Sequence, residues 1–338
     1  MTKNLFLNLE FSIIIPVYNR PEELEELLLS ILNQKGSSNV EVIIVEDGSV
    51  KKSNLLIDKY IDRLNLKYFF KKNTGPGDSR NYGMKRALGN YYIILDSDCL
   101  LPENYLSVLS KSLKENYADA FGGPDAAHSS FSNKQKAINY SMTSFLSTGG
   151  LRGAAHETKK FQLRSFNMGL SKEAFLLTGG FAKQRIGEDI DLNYRLKEKN
   201  ISTRYIADAF VYHKRRTSWF DFFLQIRNFG AARPVLNKLH KGSGSIAYWF
   251  PSLFMLGLIF SLISFALNFP APLMLYLMYF LAIGIDSFVK NKQPVVAILS
   301  MFAVCLQFFA YGSGFLRSVL RLYILRKSAK DTFPKMFA

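Results

Sequence analysis

Two carboxylates follow directly after a short apolar segment of the chain. Asp96 and Asp98 come after YYIIL, residues 91–95, and a proline and a helix-like segment follow them. Such a run predicts a buried strand of an α/β sheet, and ligands bind at the carboxyl ends of these strands. Two carboxylates this close repel each other unless a cation lies between them, and Mg2+ is often held by carboxylates together with substrate phosphates. The pair therefore predicts a divalent-cation site, although a single Asp-x-Asp pair is also typical of a solvated turn.

A second acidic pair lies farther along the chain, at the start of a predicted helix. Glu188 and Asp189 open the segment EDIDLNYRLKEK. An acid at this position usually caps the helix, but it is also well placed to accept a proton if it faces a pocket. His213 ends the strand-like segment STRYIADAFVYH, where a lone histidine is more often a surface residue than a ligand. The residues by themselves leave both alternatives open.

A glycine-rich turn, NTGPGDSRNYG at residues 73–83, leads into another predicted helix. Its glycines miss the G-x-G-x-x-G spacing of a dinucleotide site, and it lacks the Lys-Ser/Thr pair of a P-loop. Free backbone N–H groups at the start of a helix still attract phosphate, and Arg80 in the first turn is within reach of an anion. An ordinary turn with a surface arginine explains the segment equally well when it is taken alone.

Strand-like and helix-like segments alternate from residue 11 onward and position these side chains. FSIIIPV, EVIIVEDGS and LKYFFKK are typical of strands, and segments beginning at Pro21 and Asn54 are typical of helices. Alternation of this kind predicts a mostly parallel, doubly wound sheet. The strand ends VYN, EDGS and DSD then meet at one edge of the sheet, which is the arrangement that a nucleotide site needs.

The composition limits the partners and the compartment. The 338 residues carry a formal net charge of +16 with a pI near 9.6, which favours nucleic acid or an anionic membrane surface as partner. No DNA-binding motif is recognisable, so we expect no nucleic-acid partner. Cys99 and Cys305 imply no disulfide framework, and the histidines and cysteines lack zinc spacing. Glu10 interrupts the first apolar stretch, so we expect no signal peptide there.

Three long apolar segments lie in the last third of the chain. Residues 246–267 and 295–316 have no charge, and residues 272–289 carry one acid, Asp286. A buried soluble helix would explain any one of them, but three in a row predict membrane helices. The basic and aromatic stretch before them, residues 214–245, is typical of a segment that lies on an anionic leaflet.

The distribution of lysine and arginine does not agree with three full crossings. Basic residues favour the cytosolic side, which places the N-terminal part of the chain and the KNK turn at 290–292 inside. Three crossings would then put the basic tail, residues 317–338, outside. Either the rule is broken here, or one segment is re-entrant or lies in the membrane interface.

An ordered set of motifs resembles the family-2 inverting glycosyltransferases of the GT-A fold over about residues 11–233. The set comprises PVYN, EDGS, NTGPGDSRNYG, DSD, FNMGLSKEAFLLTGGF, GEDIDLNYRL and VYHKRRTSWFDFFLQIRNFGAAR. The resemblance implies an α/β fold of the GT-A type, which is Rossmann-like with a mostly parallel, doubly wound sheet, followed by an α-helical transmembrane region. The expected domains are a GT-A domain at 1–213, a basic amphipathic interfacial segment at 214–245, about three membrane helices at 246–316 and a basic tail at 317–338.

The resemblance also implies a role for each matching residue. The donor-binding residues are Pro16, Val17, Tyr18, Glu46, Asp47, Arg80, Asp96 and Asp98. Pro16, Val17 and Tyr18 line the nucleoside pocket. Glu46 and Asp47 accept hydrogen bonds from the base, and Arg80 flanks the nucleotide. The metal site has Asp98 as its direct ligand, with Asp96 and His213 beside it. The catalytic residues are Asp189, as the base, and its acidic neighbour Glu188.

The implied reaction moves one sugar, with inversion, from a nucleotide-sugar to a lipid-linked or glycan acceptor in cell-surface glycan synthesis. A UDP-sugar is the favoured donor and Mg2+ or Mn2+ the cofactor. The location is the inner or cytoplasmic membrane, with the catalytic domain in the cytosol. Processive polysaccharide synthases, the second hypothesis, carry Q-x-x-R-W, whereas this chain has no tryptophan after Arg227. The third hypothesis is an inactive membrane scaffold, which the intact Asp98 and Asp189 disfavour.

Overall fold

The computed structural model describes residues 8–36, 40–149 and 162–337. The chain forms two compact units that interleave along the sequence. Of the described residues, those up to 126 and those at 162–213 belong to the first unit, and those at 127–149 and 214–337 belong to the second. The sequence predicted no signal peptide in the N-terminal stretch. The first seven residues of that stretch lie outside the described residues, so this stays a prediction.

Ten strands occur in the described part of the chain, all of them in the first unit. They are β1 (Phe11–Val17), β2 (Glu41–Asp47), β3 (Leu66–Lys71), β4 (Tyr91–Leu95), β5 (Cys99–Leu100), β6 (Ala120–Gly122), β7 (Asp125–Ala126), β8 (Asn167–Ser171), β9 (Thr203–Tyr205) and β10 (Val211–His213). Seven form one sheet in the order β3-β2-β1-β4-β8-β6-β9, and β5, β10 and β7 form a second, small sheet. The pairs from β3 to β4 are parallel, and β8 is antiparallel to both of its neighbours. The predicted mostly parallel α/β sheet is therefore confirmed.

The middle residues of the central strands are apolar because both faces of the sheet are covered. Along β1, Ile13 and Ile15 belong to one apolar cluster, and Ile14 belongs to another. Successive side chains of a strand point to opposite faces, so each cluster is the core on one side of the sheet. Glu46 and Asp47 end β2 at the carboxyl edge of the sheet, where the candidate site lies.

Helices cover the sheet and build the second unit. They are α1 (Pro21–Leu32), α2 (Asn54–Ile57), α3 (Pro76–Met84), α4 (Tyr105–Glu115), α5 (Asn133–Thr143), α6 (Phe145–Thr148), α7 (Lys172–Thr178), α8 (Glu188–Glu198), α9 (Trp219–Leu239), α10 (Phe250–Ala266), α11 (Ala271–Asn291), α12 (Pro294–Val319), α13 (Ala329–Thr332) and α14 (Pro334–Phe337). A 3-10 turn, Ile246–Trp249, precedes α10, and a π-helical turn, Leu320–Ile324, follows α12.

The helix α3 lies unusually close to the sheet. A Cβ atom on Gly83 would lie 2.7 Å from Cγ2 of Ile14 and 3.3 Å from Cγ2 of Val45. Only glycine permits this approach, which sets the helix directly on β1 and β2. The first turns of α3, which carry Arg80, are thereby held at the edge of the sheet where the strands end.

Two segments of the first unit differ from the prediction. The helix predicted from Asn54 stops after four residues and continues as irregular turns, in which backbone N–H groups bond alternately to the third and the fourth preceding residue. The single strand predicted to end at His213 is two strands in different sheets. A turn between them, closed by the N–H of Ala209 and the carbonyl of Ile206, redirects the chain.

The second unit combines the C-terminal helices with a segment from the middle of the first unit's sequence. Its helix α5 begins with a capping box made by Ser132 and Gln135, packs against α11 and α12, and shares an apolar cluster with α9. Three helices of the unit are long and apolar enough to cross a membrane: Ile246–Ala266, Ala271–Asn291 and Pro294–Ile324. The predicted C-terminal apolar helices are therefore present.

Candidate functional site

The two predicted aspartates lie where β4 ends and the chain turns into β5. The N–H of Cys99 donates to the carbonyl of Asp96 and closes this turn at 3.1 Å. The short strand β5 then pairs with β10, and the register sets His213 directly opposite Cys99. The second sheet thus brings His213 to the aspartate turn, although the two positions are far apart in sequence.

Asp98 contacts an arginine and a histidine. One of its carboxylate oxygens, Oδ2, accepts a hydrogen bond from Arg20, and the other, Oδ1, lies 3.2 Å from Nε2 of His213. The second ring nitrogen of His213 lies 3.9 Å from a carboxylate oxygen of Asp125. The ring of Phe166 stacks on the imidazole with a centroid distance of 4.8 Å. These contacts fix the ring so that Nε2 faces the Asp98 carboxylate.

The donor set at this place fits a divalent cation. Potential ligand atoms of Asp98, Cys99 and His213 all lie within 4.8 Å of one another. Two neighbouring ligands at about 2.1 Å from an octahedral ion are separated by about 3 Å, which matches the contact between Asp98 and His213. We leave the thiol of Cys99 out of the set because it donates to the carbonyl of Phe166 at 3.4 Å and because Mg2+ and Mn2+ prefer oxygen ligands. Asp96 is turned away towards an arginine.

That arginine, Arg80, joins the two acidic pairs. Its side chain is only 3% exposed, and its two terminal nitrogens donate to Oδ1 of Asp96 at 2.7 Å and to Oε1 of Glu188 at 2.8 Å. The guanidinium also lies 5.1 Å from the ring centre of Phe181. A planar guanidinium donates along two directions at once, so it fixes both carboxylates relative to each other. Arg80 therefore positions these two carboxylates and is not a surface residue.

Glu188 is a buried acid with an altered proton affinity. Burial, together with the neighbouring Asp189 carboxylate, raises its pKa to about 7, and the Arg80 guanidinium opposes this shift only in part. The folded chain therefore binds this proton more tightly than the unfolded chain, whose glutamates titrate near 4.5. The free energy of unfolding should consequently fall as the pH rises from about 4.5 towards 7, and this contribution should be constant above that pH.

We expect Glu188→Gln to remove this pH dependence. The melting temperature of the unmodified protein should fall, relative to that of the variant, when the pH is raised from 5 to 8. Thermal unfolding across this range measures the effect. Glu198→Gln, at the exposed end of the same helix, is the matched control and should follow the unmodified protein. Parallel curves for the unmodified protein and Glu188→Gln would contradict the assignment.

Asp189 lies in the first turn of α8, where the helix dipole favours negative charge. Its Oδ2 lies 3.6 Å from a guanidinium nitrogen of Arg164, and its Oδ1 accepts from the N–H of Ile190 at 2.8 Å. Asn193 donates to the Asp189 carbonyl and also bonds to the backbone of Leu163 at both its N–H and its carbonyl. The carboxylate is thus held in place while part of it stays exposed, as a proton acceptor requires.

The carboxylate of Asp47 organises the glycine-rich turn. It accepts hydrogen bonds from the N–H groups of Thr74 and Gly75, each at 2.9 Å, and from the ammonium of Lys71 at 2.5 Å. A carboxylate has about four acceptor positions, so these three donors leave about one for a ligand. The predicted contact between Asp47 and a nucleobase is compatible with this arrangement and stays a prediction.

Glu46 lies behind Asp47 and has no exposed surface. Its carboxylate accepts from the hydroxyl of Ser49, from the N–H of Ser53 at 2.9 Å and from the hydroxyl of Tyr68 at 3.3 Å. These contacts close the turn that follows β2. The structure therefore gives Glu46 a supporting position under the predicted donor site.

The three predicted nucleoside-pocket residues differ in accessibility. Val17 is buried in the core, Pro16 is half-buried, and Tyr18 is 51% exposed at the end of β1. Asn19 follows with a left-handed backbone, φ 55°, and its side-chain oxygen accepts from the N–H groups of Val50 and Lys51. Asn19 thus links the end of β1 to the turn after β2. Of the three predicted pocket residues, Tyr18 is the accessible one.

The sequence prediction omitted several residues of the site. They are Asn19, Arg20, Lys71 and Arg164. The motif PVYN contains the first, and Arg20 adjoins it, so the motif was a usable signal for both. Lys71 and Arg164 stand in segments without a motif, and only the fold brings them to Asp47 and Asp189.

Comparisons with known sequences identify glycosyltransferases among the relatives of this chain. The model of Glycosyl transferase family 2 matches residues 12–179. An uncharacterized glycosyltransferase from Rickettsia bellii is 40% identical over 116 residues, which are 34% of this chain and 17% of that protein. The minor teichoic acid biosynthesis protein GgaB from Bacillus subtilis is 40% identical over 99 residues, which are 28% of this chain and 11% of that protein. The chain thus matches less than a fifth of the length of either relative.

A solved structure resembles nearly the whole chain. The mannosyltransferase PcManGT from Pyrobaculum calidifontis, in complex with GDP-Man and Mn2+, has a TM-score of 0.57 at 15% sequence identity. The similarity covers 96% of this chain and 89% of that one. At this low identity the likeness establishes that the two chains share a fold.

Proposed function

Because residues 12–179 of the chain belong to glycosyl transferase family 2, within a GT-A fold, we propose that the protein transfers one sugar from a nucleotide-sugar to an acceptor hydroxyl with inversion. The observation that carries the proposal is the Arg80 bridge. One buried guanidinium binds Asp96, beside the candidate cation site, and Glu188, beside the candidate base. A donor-activating site and a proton acceptor held at a fixed separation are what a direct displacement needs.

The candidate cation site would hold the diphosphate end of the donor. Asp98 and His213 would provide the ligands, and a bound divalent cation would neutralise the charge that develops on the leaving diphosphate. A carboxylate suits Mg2+ and Mn2+, whereas an imidazole suits transition-metal ions, so the mixed set favours Mn2+ of the two. Arg20, which pairs with Asp98, would turn towards the donor phosphates when the cation takes its place.

The nucleoside end of the donor would lie on the turns after β1 and β2. Tyr18 offers an exposed ring on which a base can stack, and the remaining acceptor position of Asp47 can take a base N–H. Lys71 holds the Asp47 carboxylate in place. A UDP-sugar is our proposed donor, because uracil presents an N–H and a flat ring to such a pair.

Asp189 would act as the general base. Its carboxylate takes the proton of the acceptor hydroxyl while the hydroxyl oxygen attacks the anomeric carbon. The bond from that carbon to the diphosphate oxygen breaks, and the nucleoside diphosphate leaves with the bonding electrons. Attack on the side opposite to the leaving group inverts the configuration. Arg164 orients the Asp189 carboxylate before the attack, and the buried Glu188 fixes the start of the helix through Arg80.

The acceptor would be lipid-linked or a glycan, and the product part of a cell-surface polymer. Support comes from the three apolar helices and from the similarity to a protein of teichoic acid biosynthesis. The net charge of +16 favours an anionic membrane surface. We propose the inner or cytoplasmic membrane as the location. The first unit, which carries the candidate site and which we call the catalytic unit, would lie in the cytosol, where nucleotide-sugars are made.

A donor screen tests the proposal. Purified full-length protein in lipid is incubated with UDP-, GDP- and dTDP-sugars and Mn2+ or Mg2+, and released nucleoside diphosphate is measured. We expect release from one donor class and its loss in excess EDTA. No release from any donor, with or without a membrane extract that supplies acceptors, would favour the inactive scaffold. A product with many sugars added would favour the processive synthase.

A further inference from the structure

We propose that only two of the three apolar helices cross the membrane. In this proposal α12 lies across the end of the hairpin formed by α10 and α11, so the basic C-terminal tail is on the same side as the catalytic unit. The proposal resolves the conflict between three crossings and the distribution of basic residues, and it rests on contacts within the second unit.

The helices α10 and α11 form an antiparallel hairpin. Only four residues connect them, and the hydroxyl of Tyr276 donates to the carbonyl of Phe254 at 3.0 Å. Each has about 20 residues, enough to cross a bilayer at 1.5 Å per residue. In such a hairpin the beginning of α10 and the end of α11 lie at the same end. We call this the open end, and the connection at residues 267–270 the closed end.

The first half of α12 contacts the open end of the hairpin through α11. The hydroxyl of Ser300 lies 2.8 Å from that of Ser287, near the last turn of α11. A Cβ atom on Gly284 would lie 2.9 Å from the sulfur of Met301, so this contact continues one turn earlier. The start of α12 is therefore beside the end of α11, as the short connection between them requires.

The second half of α12 contacts the open end as well, through α10. A Cβ atom on Gly312 would lie 2.9 Å from the carbonyl of Pro251, and the hydroxyl of Ser252 donates to the carbonyl of Gly312 at 3.3 Å. The rings of Phe315 and Trp249 meet edge to face at a centroid distance of 5.0 Å. These partners are the first residues of α10 and the turn before it.

These two sets of contacts determine the course of α12. Ser300 and Gly312 are about 18 Å apart along the helix axis. If α12 crossed the membrane beside the hairpin, Gly312 would lie about 18 Å nearer to the closed end than Ser300 does. Instead, Gly312 meets the beginning of α10, which is again the open end. The helix α12 therefore runs across the hairpin near this end.

The other side of α12 is covered by protein. Ser318 donates to the carbonyl of Ala231, and Tyr323 donates to the carbonyl of Pro234, both in α9. The helix α9 also carries charged residues, namely Asp221, Arg227, Arg233 and Lys238. A helix of this composition is not expected to cross a bilayer, so neither is the part of α12 that lies along it.

Burial explains why α12 is apolar without crossing a membrane. In the most apolar 18-residue stretch of each helix, 44% of the stretch in α12 is buried inside the protein, against 17% in α10 and 11% in α11. A helix that is apolar on all sides lies either in lipid or in a protein core. The hairpin has the exposed apolar surface of a membrane helix pair, whereas α12 is the core of the second unit.

The single acid of the hairpin identifies the side of the membrane. Asp286, near the open end, accepts from the hydroxyl of Tyr140 at 2.6 Å and from Lys290 at 2.8 Å. Tyr140 belongs to α5, and the chain on both sides of α5's segment returns to the first unit. In the described residues no helix long enough to cross a membrane lies between the first unit and α5, so we place the open end and the first unit on the same side of the membrane. The lysines at 290–292 and the basic tail then share that side, as basic residues favour.

Cysteine labelling of the full-length protein in cell membranes tests the proposal. Lys241→Cys marks the chain before α10, Phe269→Cys the closed end and Lys327→Cys the tail; all three positions are exposed. Each variant is treated with a membrane-impermeant maleimide in intact cells and again after permeabilisation. The unmodified protein, with Cys99 buried and Cys305 half-buried, gives the background.

We expect residue 269 to label in intact cells, and residues 241 and 327 to gain at least tenfold only after permeabilisation. Labelling of residue 327 together with residue 269 would show that α12 crosses the membrane. Labelling of residue 269 together with residue 241 would show that the hairpin does not reach the far surface. Either result overturns the proposal. Lys330→Cys, also exposed, repeats the tail measurement if Lys327→Cys is not produced.

Discussion

Replacing Asp189 by asparagine should lower turnover by roughly 100- to 10,000-fold, which is the usual contribution of a positioned general base. Asparagine has the same size and keeps an oxygen that can accept from the N–H of Ile190. It cannot accept a proton at neutral pH. The donor nucleotide is held elsewhere in the proposed complex, so its binding affinity should change little. Single-turnover transfer and nucleotide binding by calorimetry measure the two quantities separately.

Asp191→Asn is the matched control for this variant. Asp191 stands in the first turn of the same helix and pairs with Arg195, four residues along the chain. Its loss should leave turnover within a few-fold of the unmodified protein. If Asp189→Asn unfolds the unit, the negative charge of Asp189 is needed for folding, through its pairing with Arg164. If it folds and keeps near-normal turnover, the base is another residue, and Glu188→Gln is the next variant to measure.

Asp98→Asn should abolish transfer that depends on a divalent cation. A bound cation stabilises transition-state charge by several kcal/mol, so its loss should lower turnover by at least about 100-fold. The amide removes the negative charge that Arg20 and His213 now surround. Mn2+ binding, followed by electron paramagnetic resonance without donor, should weaken in parallel. Full turnover of the unmodified protein in excess EDTA, with Asp98→Asn equally active, would exclude the metal role.

The sequence was sufficient for the parts of the fold that depend on local patterns. The strands β1, β2 and β4 are continuous apolar runs and lie where the pattern predicts them. The helix α1 begins at Pro21, whose backbone angle suits the first turn. The helix predicted at Asn54 fails because only part of that segment is buried, and periodicity alone does not show where burial ends.

The acids of the site and His213 were predictable, whereas the arginines and the lysine that pair with the acids were not. The acids stand at strand ends and at a helix start, which are positions that a sequence pattern identifies. The bridge made by Arg80 spans 16 residues to Asp96 and 108 to Glu188, and Arg20 lies 78 residues from Asp98. Such pairs depend on the relative placement of whole elements. The motif therefore suggested that Arg80 faces an anion of the ligand, whereas its partners are two carboxylates of the protein.

The origin of the second unit from two separate stretches of sequence has a consequence for synthesis. Tyr140 and its partner Asp286 are 146 residues apart. At about 5–20 residues per second, the ribosome needs about 7 to 30 s to make the chain between them. During this time the apolar residues Ile138 and Met142, whose partners lie in α9 and α12, are outside the ribosome without them. The nascent chain therefore has to keep this segment from aggregating until its last long helix has been made.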